Sequence, residues 1–133
     1  MFPKLISGPI VQYAAFREQL ETLRVRREDV YAGGELFLVG LFKKVLLADN
    51  LGKAFTAVHG LTAMASATAW LGMLLYGFQL YYDFSGYSDM AIGLARMMGF
   101  RIDKNFDYPY LSKNISEFWR RWHISLGAWF RDY

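Results

Sequence analysis

The chain contains no cysteine and only two histidines. Without cysteine, neither a disulfide framework nor a thiolate metal site can form. His59 and His123 stand far apart, at no spacing typical of a metal site. The sequence also lacks a glycine-rich phosphate loop and a basic groove pattern, and its net charge is only +3. These absences argue against metal, nucleotide and nucleic-acid binding.

Charged residues are missing from residues 54–82 as well. A helix over the inner part, residues 61–82, would be about 33 Å long, close to the thickness of a bilayer's hydrocarbon core. Trp70, Tyr81 and Tyr82 lie toward its ends, where amphipathic rings favour the membrane interface. The alternative is a buried helix of a large soluble protein, but a chain of 133 residues offers little protein to bury it. We therefore predict a transmembrane helix here.

An all-α fold is predicted for the rest of the chain, after a turn-rich start at residues 1–13. The further helices are predicted over residues 14–31, 35–58, 83–99 and 114–130. The first is amphipathic, either interfacial or simply solvated. The second is divided by Lys43 and Lys44 into two apolar pieces, which favours a re-entrant or interfacial helix. Asn114 and Glu117 form a variant of the capping box at the start of the last helix.

His123 is the strongest candidate for chemistry in that last helix. It follows Trp119 by four residues and precedes Leu126 by three and Phe130 by seven, so helical spacing places it on an apolar, aromatic face. Burial there would disfavour the imidazolium and leave a neutral ring that can accept a proton near pH 7. A general base for a hydroxyl group needs that property. A core histidine bonded to a backbone carbonyl explains the same pattern and stays open.

Asp83 and Asp89 could form a pair of carboxylates, since they are six residues apart. The preferred interpretation is structural: Asp83 or Ser85 caps the helix that follows, and Asp89 lies exposed in its first turn. Residues 83–87 lack the first glycine of a nucleophile elbow, which argues against a serine hydrolase.

Three stretches carry a more specific signal: YYDFSGYSDMAIGLARMMGF at 81–100, NFDYPYLS at 105–112 and EFWRRWHISL at 117–126. Together with residues 2–10, 42–51 and 129–133, they closely resemble the membrane-bound O-acyltransferase family, in its alginate O-acetyltransferase branch. The resemblance covers essentially the whole chain. It implies that residues 1–133 form one partial membrane domain, in which tilted and short helices belong to a ring around a funnel through the bilayer.

The resemblance also implies a function. Such a protein moves an acetyl group from a cytoplasmic thioester donor, acetyl-CoA or a carrier protein, toward hydroxyls of an exported polysaccharide such as alginate. No bound cofactor is expected. The expected partners are membrane lipid, the acyl donor and the polysaccharide, with a periplasmic acetyltransferase as a candidate further partner. The expected location is the bacterial inner membrane, as a multi-pass protein. Alternatives are D-alanyl or other acyl transfer to a cell-envelope polymer, and a non-catalytic membrane scaffold or transport component.

Site residues follow from the matching stretches. His123 corresponds to the histidine of the family's W-H-x-S-L motif, which the resemblance implies is functionally essential. The substrate-channel candidates are Trp119, Trp122, Ser125, Asp83, Tyr87 and Asn105. The family's other important histidine stands in a Trp-His-Gly context that these residues do not include. The chain is therefore expected to be a fragment that is inactive on its own.

Overall fold

The computed structural model describes residues 9–11, 13–61 and 65–132, and every regular element among them is a helix. The all-α prediction is therefore confirmed. Most of the turn-rich start at residues 1–13 lies outside the described residues. The elements are α1 (Tyr13–Glu21), α2 (Arg27–Phe42), a π-helical segment (Lys43–Ala48), α3 (Asp49–His59), α4 (Ser66–Met97), a short 3₁₀ turn (Pro109–Leu111), α5 (Ile115–Arg121) and α6 (Ile124–Asp132).

Helix α2, the π-helical segment and α3 follow one another without a break and pack antiparallel along α4. The helix predicted over residues 35–58 is therefore present, and Lys43 and Lys44, which divide its apolar pattern, begin the π-helical segment. The charges of both lysines are paired. The ammonium of Lys43 lies 2.6 Å from the carboxylate of Asp89, and that of Lys44 lies 2.7 Å from Asp83 and 2.9 Å from Asp49. Such π-helical segments are often found at functional sites.

Two glycine pairs hold α2 against α4. A Cβ atom added to Gly86 would lie 2.8 Å from the Gly40 carbonyl oxygen, and one added to Gly33 would lie 2.6 Å from that of Gly93. Real Cβ atoms do not approach backbone oxygens so closely, so these positions require glycine. In each helix the two glycines are seven residues apart, which places them on one face. Small residues of this kind let two helix backbones touch.

Helix α4 corrects two predictions about its region. It runs from Ser66 to Met97 without interruption, so no new helix begins at Asp83. The Asp83 carboxylate pairs with Lys44 instead of capping a helix end. Residues 62–64 of the predicted span lie outside the described residues. Among those that are described, no helix is both long and apolar enough to be a candidate for crossing a membrane.

The predicted amphipathic helix over residues 14–31 is divided in the structure. Helix α1 ends at Glu21 and α2 begins at Arg27, with acidic residues in the first turn of α2 where negative charge is favourable. Two contacts fix α1 beside the end of α4. Phe16 stacks on Phe100 at 5.2 Å between ring centroids, and the Gln19 side chain exchanges hydrogen bonds of 2.8 and 3.0 Å with the backbone of Arg101.

Candidate active site at the junction of α5 and α6

The predicted single helix over residues 114–130 is wrong at its centre, where α5 ends at Arg121 and α6 begins at Ile124. Trp122 is extended, and His123 adopts a left-handed conformation with φ +45°. A positive φ is uncommon for residues other than glycine, although histidine is among the more tolerant types. His123 is therefore the turning point between two short helices and not a residue on one continuous helical face.

The start of α5 agrees with the sequence. The Asn114 side chain accepts a hydrogen bond of 2.8 Å from the Glu117 N–H, which confirms the predicted cap. The Glu117 carboxylate accepts the Lys113 N–H at 2.9 Å and pairs with Arg121 at 2.6 Å. The Lys113 N–H lowers the pKa of the Glu117 carboxyl most; burial opposes this shift, and Arg121 adds a smaller lowering. This end of α5 is therefore anchored with its charges paired.

A loop from elsewhere in the chain causes the break after α5. In a continuous helix, the N–H groups of Ile124 and Ser125 would donate to carbonyls four residues earlier. Here the Ile124 N–H donates to the backbone carbonyl of Asn105 at 2.9 Å, and the Ser125 N–H donates to the Asn105 side chain at 3.1 Å. The Arg121 carbonyl accepts the Asp107 N–H at 2.9 Å. Residues 105–107 thus take over the hydrogen bonds that would have continued the helix.

The His123 ring lies among aromatic side chains, but not those that helical spacing suggested. Its centroid is 4.9 Å from that of Phe84 in an edge-to-face arrangement and 6.5 Å from that of Phe106. Trp119 and Phe130 are instead 60% and 70% exposed. Burial lowers the pKa of His123 below its ordinary value of 6.5, against a weaker opposing contribution from its own backbone. Burial therefore favours the neutral form of the ring.

One hydrogen bond selects the tautomer of this neutral ring. Nδ1 of His123 accepts the Leu126 N–H at 3.2 Å. With Nδ1 as the acceptor in this bond, the tautomer that carries its proton on Nε2 is favoured. The same Leu126 N–H also donates to the His123 carbonyl oxygen at 3.0 Å. It therefore keeps a partner if the ring turns or changes tautomer.

Of the candidates from the sequence, the structure brings Trp122, Ser125 and Asn105 to the His123 junction. The Ser125 hydroxyl donates to the Asn105 side-chain oxygen at 2.9 Å. Trp122 belongs to an aromatic cluster that its ring shares with Tyr81, Phe106, Tyr110 and Phe118. This cluster covers the side of the junction that faces α4 and the 3₁₀ turn.

The other candidates lie on α4 and α5. Trp119 is exposed on α5 and contacts Phe118 edge to face at 5.5 Å. Asp83 pairs with Lys44, and Tyr87 is half-buried on α4. Among the residues that the structure describes, no group of three histidine or carboxylate side chains is arranged to hold a metal ion.

Sequence reasoning missed Phe84, Ser88 and Phe106. Phe84 and Ser88 are four residues apart on α4 and so share one face of that helix. Phe84 contacts the His123 ring, and the Ser88 hydroxyl accepts a hydrogen bond from Asn105. The spacing would have revealed this face had residues 66–97 been treated as one helix; the role of Phe106 had no comparable signal.

Comparison with known proteins assigns this arrangement to a family. The model of the membrane-bound O-acyltransferase family matches residues 1–133. The chain belongs to the membrane-bound O-acyltransferase family. Its relatives include the probable alginate O-acetylase AlgI of Pseudomonas aeruginosa, 49% identical over 134 residues, which cover 100% of this chain. They also include the peptidoglycan O-acetyltransferase of Helicobacter pylori, 40% identical over 136 residues and 99% of this chain.

A relative with lower sequence identity is named for the transfer of a different acyl group. The teichoic acid D-alanyltransferase of Bacillus subtilis is 36% identical over 139 residues, covering 99% of this chain and 34% of the relative. The chain spans only 26% of the length of the two acetyl-transferring relatives. The family and these named relatives are acyltransferases.

Proposed function

We propose that this chain is the His123-bearing part of a membrane O-acetyltransferase that modifies hydroxyls of an exported polysaccharide. The observation that carries the proposal is the half-buried His123 ring, whose neutral form is favoured by burial. The chain around this ring matches the family model along its whole length. Alginate is the favoured acceptor because identity to the alginate O-acetylase exceeds that to the D-alanyltransferase. The working protein would be a multi-pass protein of the bacterial inner membrane.

In the proposed reaction, an acceptor hydroxyl attacks the carbonyl carbon of an acetyl thioester, supplied by acetyl-CoA or a carrier protein. The C–O bond of the ester forms, the C–S bond breaks, and the hydroxyl proton ends on the released thiol. His123 would take the proton from the hydroxyl and return it to the sulfur. General acid–base catalysis of this type typically contributes about 10²–10⁴-fold.

The tautomer sets a condition on this role. With Nδ1 occupied by the Leu126 N–H, Nε2 of the resting ring donates a hydrogen bond and cannot accept a proton. Nε2 becomes basic when the proton moves to Nδ1 and the Leu126 bond to the ring opens. Leu126 can release the ring at little cost because its N–H retains the His123 carbonyl oxygen. We therefore expect substrate to bind the Nε2–H form first and the base to form during the reaction.

The test is His123→Gln in the full-length protein that contains this chain. Glutamine retains an oxygen that can accept the Leu126 N–H, but it cannot take a proton from a hydroxyl near pH 7. We expect polysaccharide acetylation to fall by about 10²-fold or more, with an unchanged amount of protein in the membrane. The matched control is His59→Gln, an exposed histidine that stacks on Phe55 at 5.4 Å and should retain acetylation. Wild-type acetylation by His123→Gln would rule out the general-base role.

A second candidate function is transfer of a D-alanyl group to an envelope polymer, which the similarity to the teichoic acid D-alanyltransferase supports. Both reactions would use His123 in the same way, so the substitution does not separate them. Mass spectrometry of the modified polymer does, because an acetyl ester and a D-alanyl ester differ in mass and only the latter contains an amine. A scaffold would leave the polymer unmodified in both wild-type and variant cells.

A further inference from the structure

We propose that Asn105 is a positioning residue that holds the His123 junction against α4. The proposal rests on the proposed function of His123, because a positioning residue acts only through the group it positions. Asn105 is 1% exposed and is among the largest fully buried side chains of the described residues. It lies in the loop between α4 and the 3₁₀ turn, outside every helix.

Each polar atom of the Asn105 side chain is used. Its amide nitrogen donates to the Ser88 hydroxyl oxygen on α4 at 3.3 Å. Its Oδ1 accepts two hydrogen bonds from Ser125 in the first turn of α6, one from the backbone N–H at 3.1 Å and one from the hydroxyl at 2.9 Å. One side chain therefore connects α4 directly to the residue that stands two positions after His123.

The backbone of the same residue completes the connection. The Asn105 carbonyl accepts the Ile124 N–H at 2.9 Å, immediately after His123. On the other side of the junction, Arg121 is bonded through its carbonyl to Asp107. His123 is thus enclosed between two backbone bonds to one short loop. Its left-handed conformation, which an L-residue rarely adopts, is maintained by these surroundings.

Asparagine suits this position better than its closest analogues. The site needs a donor toward Ser88 and a double acceptor toward Ser125, and the amide group supplies both. Aspartate has no N–H for Ser88 and would place a charge at a position that is almost fully buried. Alanine would leave the Ser125 N–H without its acceptor. That N–H could then return to the Arg121 carbonyl, which favours one continuous helix through residues 115–132.

Such a change would turn His123 away from Phe84. Phe84 and Ser88 lie on the same face of α4, so the bond between Asn105 and Ser88 sets the distance at which the His123 ring meets Phe84. Misplacement of a catalytic group by about 1 Å can cost about 10²-fold in rate. Asn105 therefore controls the reaction rate without touching the reacting atoms.

The test measures acetyl transfer by the full-length protein at varied donor concentration. We expect Asn105→Ala to lower kcat by about 10- to 100-fold with little change in KM, because the base is misplaced while the donor still binds. Ser88→Ala and Ser125→Ala each remove one side-chain hydrogen bond, and each should lower kcat by about tenfold or less. The matched control is Asn114→Ala, which removes the cap of α5 but no contact of Asn105, and its kcat should equal that of the wild type.

The double variant Asn105→Ala with His123→Gln separates positioning from general destabilisation. If Asn105 acts through His123, the double variant transfers acetyl groups no more slowly than His123→Gln alone. A further loss equal to that of Asn105→Ala would overturn the proposal. So would wild-type kcat in Asn105→Ala, Ser88→Ala and Ser125→Ala when His123→Gln has lost activity. If Asn105→Ala does not reach the membrane, the two serine variants decide the question. Failure of His123→Gln to reduce activity contradicts the proposed function itself.

Discussion

Helices α2 and α4 meet through glycine, whereas the junction at His123 is held by polar side chains. In the hairpin, the backbones themselves touch at Gly40 and Gly86, so no other residue fits without displacement. At the junction, the contacts between segments are hydrogen bonds made by the side chain and the backbone carbonyl of Asn105. The contact between α2 and α4 is therefore rigid, whereas the geometry of the junction depends on the few hydrogen bonds that Asn105 makes.

The two regions are connected along α4. Gly86 lies between Phe84, which contacts the His123 ring, and Ser88, which bonds to Asn105. The glycine contact thus fixes the stretch of helix against which the junction is placed. This division suggests that substitutions in the hairpin affect stability first, whereas substitutions at the junction affect activity first.

The largest effect on stability is expected for Gly86→Ala. The new Cβ would lie 2.8 Å from the Gly40 carbonyl oxygen, and a backbone atom cannot move away as a flexible side chain can. We expect a loss of about 1–3 kcal/mol in the free energy of unfolding, measured in detergent by circular dichroism. The matched control is Gly34→Ala, where nothing lies within 4 Å. That change should stabilise the protein by about 0.5–1 kcal/mol, since alanine favours a helix over glycine. Equal effects at both positions would contradict the glycine contact.

Local features of this architecture could be predicted from the sequence, and non-local ones could not. The cap at Asn114 and the pair of Glu117 with Arg121 depend on neighbouring residues only, and both are present. The break at His123 depends on a loop that approaches from residues 105–107, and no local signal in the last helix indicates it. The helical boundary expected at Asp83 is absent, and the Asp83 carboxylate pairs with Lys44 of a distant segment, which no local pattern indicates.

The same distinction applies to the site. The W-H-x-S-L motif located His123, and the resemblance to the family pointed to Asn105 and Ser125. The aromatic neighbours of His123 are Phe84 on α4 and Phe106 in the loop between α4 and the 3₁₀ turn. Helical spacing around His123 therefore predicted the wrong aromatic neighbours. Tertiary contacts, rather than propensity, determine which rings surround this histidine.

A smaller effect is expected at the ion pair between Lys43 and Asp89. The two side chains are 25% and 20% exposed, so the pair is partly desolvated. Lys43→Met leaves the Asp89 carboxylate without its cation, and we expect a loss of about 1–2 kcal/mol in the free energy of unfolding. Adding Asp89→Met should recover most of that loss. The control is Arg17→Met, whose pair with Glu21 is exposed at both ends and should contribute less than about 0.5 kcal/mol. A double variant as unstable as Lys43→Met would contradict the role of the pair.

The smallest effect is the pH dependence of stability that His123 confers. Burial lowers its pKa in the folded protein below 6.5, so the unfolded chain binds a proton at a higher pH than the folded one. Stability therefore rises with pH where the unfolded state holds more protons. As the pH falls from about 7 through 6.5 toward the folded pKa, the wild type should lose stability that His123→Gln does not lose.

The measurement is the unfolding temperature of both proteins between pH 5 and pH 8. Other titrating groups are common to both, so they cancel in the difference. A difference in unfolding temperature that stays constant with pH reports only the substitution itself. A difference that changes with pH reports the titration of His123. If the wild type instead gained stability over the variant on acidification, the folded protein would favour the imidazolium, and a neutral ring at the junction would be excluded.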